Sequence, residues 1–548
     1  MATIIPPEWL VGLENAPDEV KAVITKEPRK PESDPTLGIP VAVNQTGNPR
    51  HRLVTLGDSL THGFQSGAIY NTSLSYPALI ARELGWQQQF RYPPIYSGPG
   101  NGLPLNLEKL VRELGDRYQI EDGINAIDAT VLLPWLRGFL DKVEDYWERG
   151  EGSKAAETGL INHNLAVYGW DLRNTIARTA QDAKDTIRQK PPKDDFLSEV
   201  PENAQDVATL RVLNTARDSS GRALSPVQAA IALGNEGTVE TSQGDGIETL
   251  IILIGANNAL GSILTFNVVW SGDEYMDMSK NDKYTVWRPS HFKAELDRLV
   301  NDVKKIKARH VIWGTVPHVT IVPFARGINK DAKGQKVQPG SRYYPIYAPF
   351  WYDEENFSAK RSPKLTENQV RAIDSVIDQY NYAIADVVRQ ARQQGRDWYV
   401  FETVGLLDRL AQRRYIEDPA ARPDWWKPYP LPAPLNALNP KPTSEFFVAN
   451  QKGRKKGGLF SLDGIHPTTI GYGIMAQEFI DIMQRAGVKF YDANGAERTG
   501  PVAIDFNHLI REDSLISNPP PAAEAVINFV GWLDSMTGII SQLYRSSI

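Results

Sequence analysis

From His51 onward, short apolar runs alternate with amphipathic segments, which is the pattern of a parallel sheet covered by helices. Five runs read as strands: HRLVTLG (51–57), HNLAVYG (163–169), TLIILIG (249–255), HVIWGTV (310–316) and WYVFETV (398–404). Between them, Ser75-Tyr76-Pro77 starts a helix that ends by Gly85, and Phe292, Leu296, Leu299, Val303 and Ile306 recur at helical spacing. A third helix is predicted from Thr366, which has capping-box spacing to Gln369, to about Gly395. The expected class is therefore α/β.

Several connections are too long for simple crossovers and must carry structure of their own. Residues 87–160 and 175–245 contain helical patterns such as LEKLVREL and TVLLPWLRGFLDKVEDYW, and read as helical insertions, a lid being one use for the first. Two more inserts, 318–362 and 405–458, are dense in proline and aromatics (YYPIYAPFWY; RPDWWKPYPLPAPL). They admit two readings: proline-braced surface loops whose aromatics pack on the domain, or the wall of an apolar substrate pocket.

Residues 1–49 are rich in proline and charge and read as an extended arm, packed on the surface or mobile. The main domain is expected over 50–490. A tail follows over 491–548, where AEAVINFVGWLDSMTGIISQLY is an amphipathic helix expected to dock on the domain rather than bind membrane. The run Lys452-Gly453-Arg454-Lys455-Lys456 reads as a solvated loop, and GYGIMA (471–476) as helix rather than a dinucleotide fingerprint.

Composition narrows the chemistry. A net charge of only −6 over 548 residues carries no polyelectrolyte signature for nucleic acid. The absence of cysteine removes thiolate catalysis and cysteine-ligated metal sites. No apolar run approaches the roughly 20 residues that cross a bilayer. The N-terminus shows no basic segment leading into an unbroken apolar stretch, so the expected location is cytoplasmic. There is no phosphate loop of the Walker type, no His-Glu-x-x-His and no Gly-x-Ser-x-Gly elbow.

Ser59 follows the first apolar run, where a strand ends and the chain turns toward a helix, and ligands of open α/β sheets sit at the carboxyl ends of strands. A serine hydroxyl needs a base to become a nucleophile, and the base needs an orienting carboxylate. Of eight histidines, His466 has Asp463 three residues before it, so one loop can deliver both groups. His62 is close to Ser59 in sequence but has no acid nearby beyond Asp58, whose expected job is to fix the turn around Ser59 by backbone hydrogen bonds. Acyl transfer also needs donors for an oxyanion, and Gly169 and Asn257 stand at two further strand ends. Gly100 and Gly102, in GPGNG (98–102), compete with Gly169 for that place.

LGDSLTHG, NLAVYG, LIGANN and DGIHP, in that order, resemble the four blocks of the SGNH, or GDSL, hydrolase family over roughly residues 50–485. The resemblance implies a flavodoxin-like five-stranded sheet. It also implies Ser59 as nucleophile and oxyanion donor, Gly169 and Asn257 as the other donors, His466 as base and Asp463 as its orienter. Asn258 stands where that family usually has aspartate, which bears on how the loop is fixed. The function expected is a serine carboxylesterase or lipase that needs no cofactor and acts on a small or lipid-like ester. An acyltransferase or a carbohydrate O-deacetylase would use the same groups, and a non-catalytic binding protein on the same fold is the alternative of another class.

Overall fold

The computed structural model describes the whole chain apart from residues 1–4, 26, 44–46, 94–95, 121–125, 193–200, 241–245, 332 and 538–548. Its centre is a four-stranded parallel sheet of β1 (His51–Gly57), β2 (Ile247–Leu253), β3 (Ala308–Gly314) and β4 (Trp398–Phe401), lying side by side in chain order. Leu53 faces Thr249, Gly57 faces Leu253, Ile251 faces Ile312 and Trp398 faces Val311 across the ladders. Nearly every strand residue is buried, including both alternating sets, so the sheet is covered on both faces. That is why these strands read as apolar runs.

The expected fifth strand is not one. Residues 163–167 run beside β1, with the Thr55 N–H donating to the His163 carbonyl and the Leu165 N–H to the Thr55 carbonyl, both at 2.9 Å, but only Thr55 and Asn164 form a bridge. The Val167 N–H reaches the Gly57 carbonyl at a longer 3.3 Å. The Asn164 Oδ1 accepts from the Ala166 N–H at 3.2 Å and from the Thr55 hydroxyl at 3.0 Å, the second of which fastens this segment to β1. At the other edge, β4 stops at Phe401 because residues from Thr403 enter a helix, Thr403–Ala411.

Helices α1 (Ser59–His62), α2 (Tyr76–Glu83), α3 (Asn257–Thr265), α4 (Pro289–Val303), α5 (Glu367–Gln393) and α6 (Thr469–Arg485) do most of the covering. α2 packs on α6, and α4 on α5, where Phe292 and Tyr380 stack with centroids 3.8 Å apart. Phe292, Leu296, Leu299 and Val303 are all buried, as their spacing predicts, and the Thr366/Gln369 capping box is formed. α6 includes GYGIMA.

Residues of the N-terminal segment enter the core: Val20 and Ile24 are buried, and Arg29 donates two hydrogen bonds, 2.9 and 2.6 Å, to Glu402. The Pro35 carbonyl accepts the Val400 N–H at 3.0 Å, so this segment lies along the outer edge of β4. The long connections carry helices at Leu107–Tyr118, Ala126–Glu148, Ala204–Leu213 and Pro226–Glu240. The proline and aromatic inserts form small antiparallel sheets, and the basic run expected as a loop belongs to a hairpin, Val448–Asn450 with Gly453–Lys456. Paired backbone there outweighs the charge pattern. The tail helix Ala523–Thr537 packs on Leu107–Tyr118 and on that hairpin, and the rest of its predicted length lies outside the described residues. Among the described residues no helix is long and apolar enough to cross a membrane.

Candidate active site

The turn that carries Ser59 is built by close approach. A Cβ on Gly57 would fall 2.1 Å from the Thr61 hydroxyl and 2.6 Å from the Leu253 carbonyl, so only glycine lets α1 begin directly at the end of β1. Asp58 caps the helix, its Oδ1 accepting the Leu60 N–H at 3.1 Å. Gly63 ends it, and the chain enters a hairpin, Phe64–Gln65 with Ala68–Ile69, across Ser66 and Gly67, both at positive φ.

That hairpin receives the turn from Ser461 to His466. The Ser66 N–H donates to the Ser461 hydroxyl at 2.8 Å and the Gly67 N–H to Asp463 Oδ2 at 2.9 Å. Asp463 Oδ1 accepts the Ile465 and His466 N–H groups, each at 2.8 Å. The Asp463 carboxylate then lies 3.1 Å from His466 Nδ1, and His466 Nε2 lies 2.9 Å from Ser59 Oγ. Burial works to raise the Asp463 pKa, but the His466 ring and the backbone donors outweigh it and hold the carboxyl below its ordinary range. An ionised Asp463 accepts from Nδ1–H, which leaves Nε2 as the acceptor for the serine hydroxyl. The Phe64 ring, 4.6 Å away, supports the imidazole from the side. Asp463 is fully buried, whereas Ser59 retains 7% and His466 5% exposure, so the two groups that would meet a substrate are the two that can be reached.

Gly169 and Asn257 are brought to the same end of the sheet. Asn257, the first residue of α3, donates one amide N–H to the Trp170 carbonyl at 2.8 Å and keeps a second to give. Gly169, at φ 77°, lies between Trp170 and Tyr168, whose N–H donates to His62 Nδ1 at 3.3 Å. Gly169 is thus tied on one side to the Asn257 helix and on the other to the Ser59 helix. Gly98, Gly100 and Gly102 pack instead against Tyr146, Val143 and Ala68. At the position of the expected aspartate, Asn258 Oδ1 takes the Leu172 N–H, at 3.4 Å, while its buried Nδ2 has no partner among the described residues.

Two supporting residues were not legible in advance. His62 reads as unsuited because it lacks an acid, yet its role here needs none: buried, its pKa is pushed down to about 3, and as a neutral ring it accepts from Tyr168 and reaches the Tyr96 hydroxyl at 3.1 Å. Gly67 holds Asp463, and the Ser-Gly dipeptide was a turn signal that could have located it. Among the described residues no group of three or more His, Cys, Asp or Glu side chains could hold a metal ion.

Burial lifts the Asp58 carboxyl to about 7, against the opposing effects of the Leu60 N–H and the His466 ring. Raised in the fold relative to the unfolded chain, this group costs stability above pH 7, and the cost shrinks as the fold takes up the proton at lower pH. Asp58→Asn, which keeps a capping oxygen, is therefore expected to melt above wild type at pH 8, the gap narrowing below pH 7 and closing near pH 4. Thermal melts at pH 8, 6 and 4 check the trend.

No protein-family model matches the chain, and no curated protein matches it.

Proposed function

We propose that the protein is a serine ester hydrolase of the SGNH, or GDSL, type. What carries this reading is the continuous chain of hydrogen bonds from Ser59 through His466 to Asp463 at the carboxyl end of the parallel sheet. In the proposed reaction Ser59 Oγ attacks the ester carbonyl as His466 Nε2 takes its proton. The oxyanion is met by the N–H groups of Ser59 and Gly169 and by the free amide N–H of Asn257. His466 then protonates the leaving alcohol and next activates the water that frees the acid. Under this reading residues 163–167, which meet β1 through one bridge, stand where a flavodoxin-like sheet has its outer strand, and they lead to Gly169.

A panel of p-nitrophenyl esters from acetyl to palmitoyl, run beside acetylated xylan, tests the proposal. Hydrolysis of one class is expected, with free acid as product. A folded protein inert toward the whole panel would count against it. Within that assay Asn257→Ala should lower kcat roughly a hundred- to a thousand-fold, and a near-wild-type value would remove Asn257 from the oxyanion hole.

A further inference from the structure

Gly169 occupies the third place of a tight turn. The Trp170 N–H donates to the Val167 carbonyl at 3.4 Å, with Gly169 at φ 77° and Tyr168 at negative φ, the pattern of a type II turn. That bond leaves the Gly169 N–H to be given elsewhere, and among the described residues it has no acceptor. Bonds on either side fix the turn relative to Ser59. The Trp170 carbonyl accepts from the Asn257 amide at 2.8 Å, and the Tyr168 N–H donates to Nδ1 of His62, the last residue of α1, at 3.3 Å. A backbone N–H only donates, so Nδ1 is an acceptor and the ring hydrogen is on Nε2. Nε2 lies 3.1 Å from the Tyr96 oxygen, which therefore accepts it.

Both rings are fully buried, so bulk water does not stand in for the phenol oxygen. Burial also keeps His62 neutral, its pKa pushed down to about 3, and only the choice of tautomer is open. With the hydrogen on Nδ1 instead, two N–H groups would face each other and Tyr168 would be released. The Tyr96 hydroxyl thus selects the nitrogen that meets the turn. Tyr96 itself comes from the first long insertion, and both insertions close on it. Arg211, on helix Ala204–Leu213 of the second, stands 5.2 Å from the centroid of the Tyr96 ring and 5.2 Å from that of Trp147. It is anchored by donating to the Gly152 carbonyl at 3.0 Å. Trp147, on helix Ala126–Glu148, lies 6.2 Å from the Tyr96 ring and donates its indole N–H to the Gly102 carbonyl at 2.9 Å.

We propose that Tyr96 is a positioning residue of the oxyanion hole, acting through His62 on the turn that presents the Gly169 N–H, and that the two helical insertions hold it in place; the inference rests on the ester-hydrolase reading. Neither Tyr96 nor His62 touches the substrate. Their contribution is to how well one N–H meets an oxyanion that exists only in the transition state, so its loss falls on kcat rather than on KM.

Tyr96→Phe, which keeps the ring beside Arg211, is expected to lower kcat for p-nitrophenyl acetate about tenfold with KM within about twofold of wild type and the shape of the pH profile unchanged. His62→Ala should cost about a hundredfold, and adding Tyr96→Phe to it nothing further, since the route is already cut. His62→Asn brings its Oδ1 to the place of Nδ1 and takes the Tyr168 N–H, so kcat should return to within about threefold of wild type, whereas His62→Gln, whose amide stands near Nε2, should not restore it. Wild-type kcat in both Tyr96→Phe and His62→Ala, or a His62→Gln protein as active as His62→Asn, overturns the proposal. Should Tyr96→Phe fail to fold, the Asn and Gln pair decides alone. Hydrogen exchange at the Tyr168 amide, followed by mass spectrometry, separates the brace from the reading it rests on. Slow exchange that Tyr96→Phe and His62→Ala accelerate, in a wild-type protein that hydrolyses no ester, would keep the brace and sink the hydrolase. Undiminished ester turnover in every variant would keep the hydrolase and sink the brace.

Discussion

Ser59→Ala is expected to abolish ester turnover while leaving the thermal unfolding transition at its wild-type position. Among the described residues the Ser59 side chain has one hydrogen-bond partner, His466 Nε2, and it sits in the first turn of a short helix where alanine is the best-tolerated residue. Little of the fold depends on the hydroxyl. All of the proposed covalent chemistry does, so the loss in kcat should be on the order of 10⁴-fold or more, leaving only what the oxyanion donors achieve with water. Paired melts and single-turnover assays measure both quantities. A folded Ser59→Ala protein within about tenfold of wild type would show that another group is the nucleophile.

Asp463→Asn should cost nearly as much, about 10⁴-fold in kcat, with the backbone geometry retained. Asn can keep the acceptor oxygen that takes the Ile465 and His466 N–H groups. At the other position an NH₂ would face His466 Nδ1 and the Gly67 N–H, both held by a carboxylate oxygen in wild type. Nδ1 must then accept rather than donate, which moves the ring proton to Nε2 and removes the base. The substitution also has a signature in stability. Because the Asp463 pKa is depressed in the fold, its stabilising contribution is complete above the ordinary carboxyl range and is lost as the pH falls through the folded value. The gap in melting temperature between wild type and Asp463→Asn should therefore be widest at neutral pH and shrink in acid. A gap that grows on acidification would mean that the carboxylate is not held ionised by its partners.

The strands β1, β2 and β3 were legible because residues buried on both faces must be continuously apolar, and the long helix α5 because its cap and stripe are local. Asp463 and His466 could be paired from sequence because three residues in one tight turn place both. Their union with Ser59, 407 residues earlier, was inferred from chemical need, not from pattern. Residues 163–169 carried the apolar signal of a strand, yet they meet β1 through the single bridge of Thr55 with Asn164, a pairing that depends on a neighbour over 100 residues away. His62 was hidden for another reason: its value lies in accepting one backbone N–H from a segment over 100 residues away, and local context holds no trace of that. The inserts were opaque in the same way. Proline and aromatic density marks rigidity, yet only the packing of Phe446 on Gly464 shows that these segments stand beside the proposed site.

The most direct test of the central claim is mass spectrometry of peptides from protein treated with a fluorophosphonate, in wild type and in His466→Ala. If Ser59 is a nucleophile activated by His466, the wild-type protein carries the adduct on Ser59 and the variant carries almost none. An unlabelled Ser59 in wild type, or equal labelling with and without His466, would contradict it.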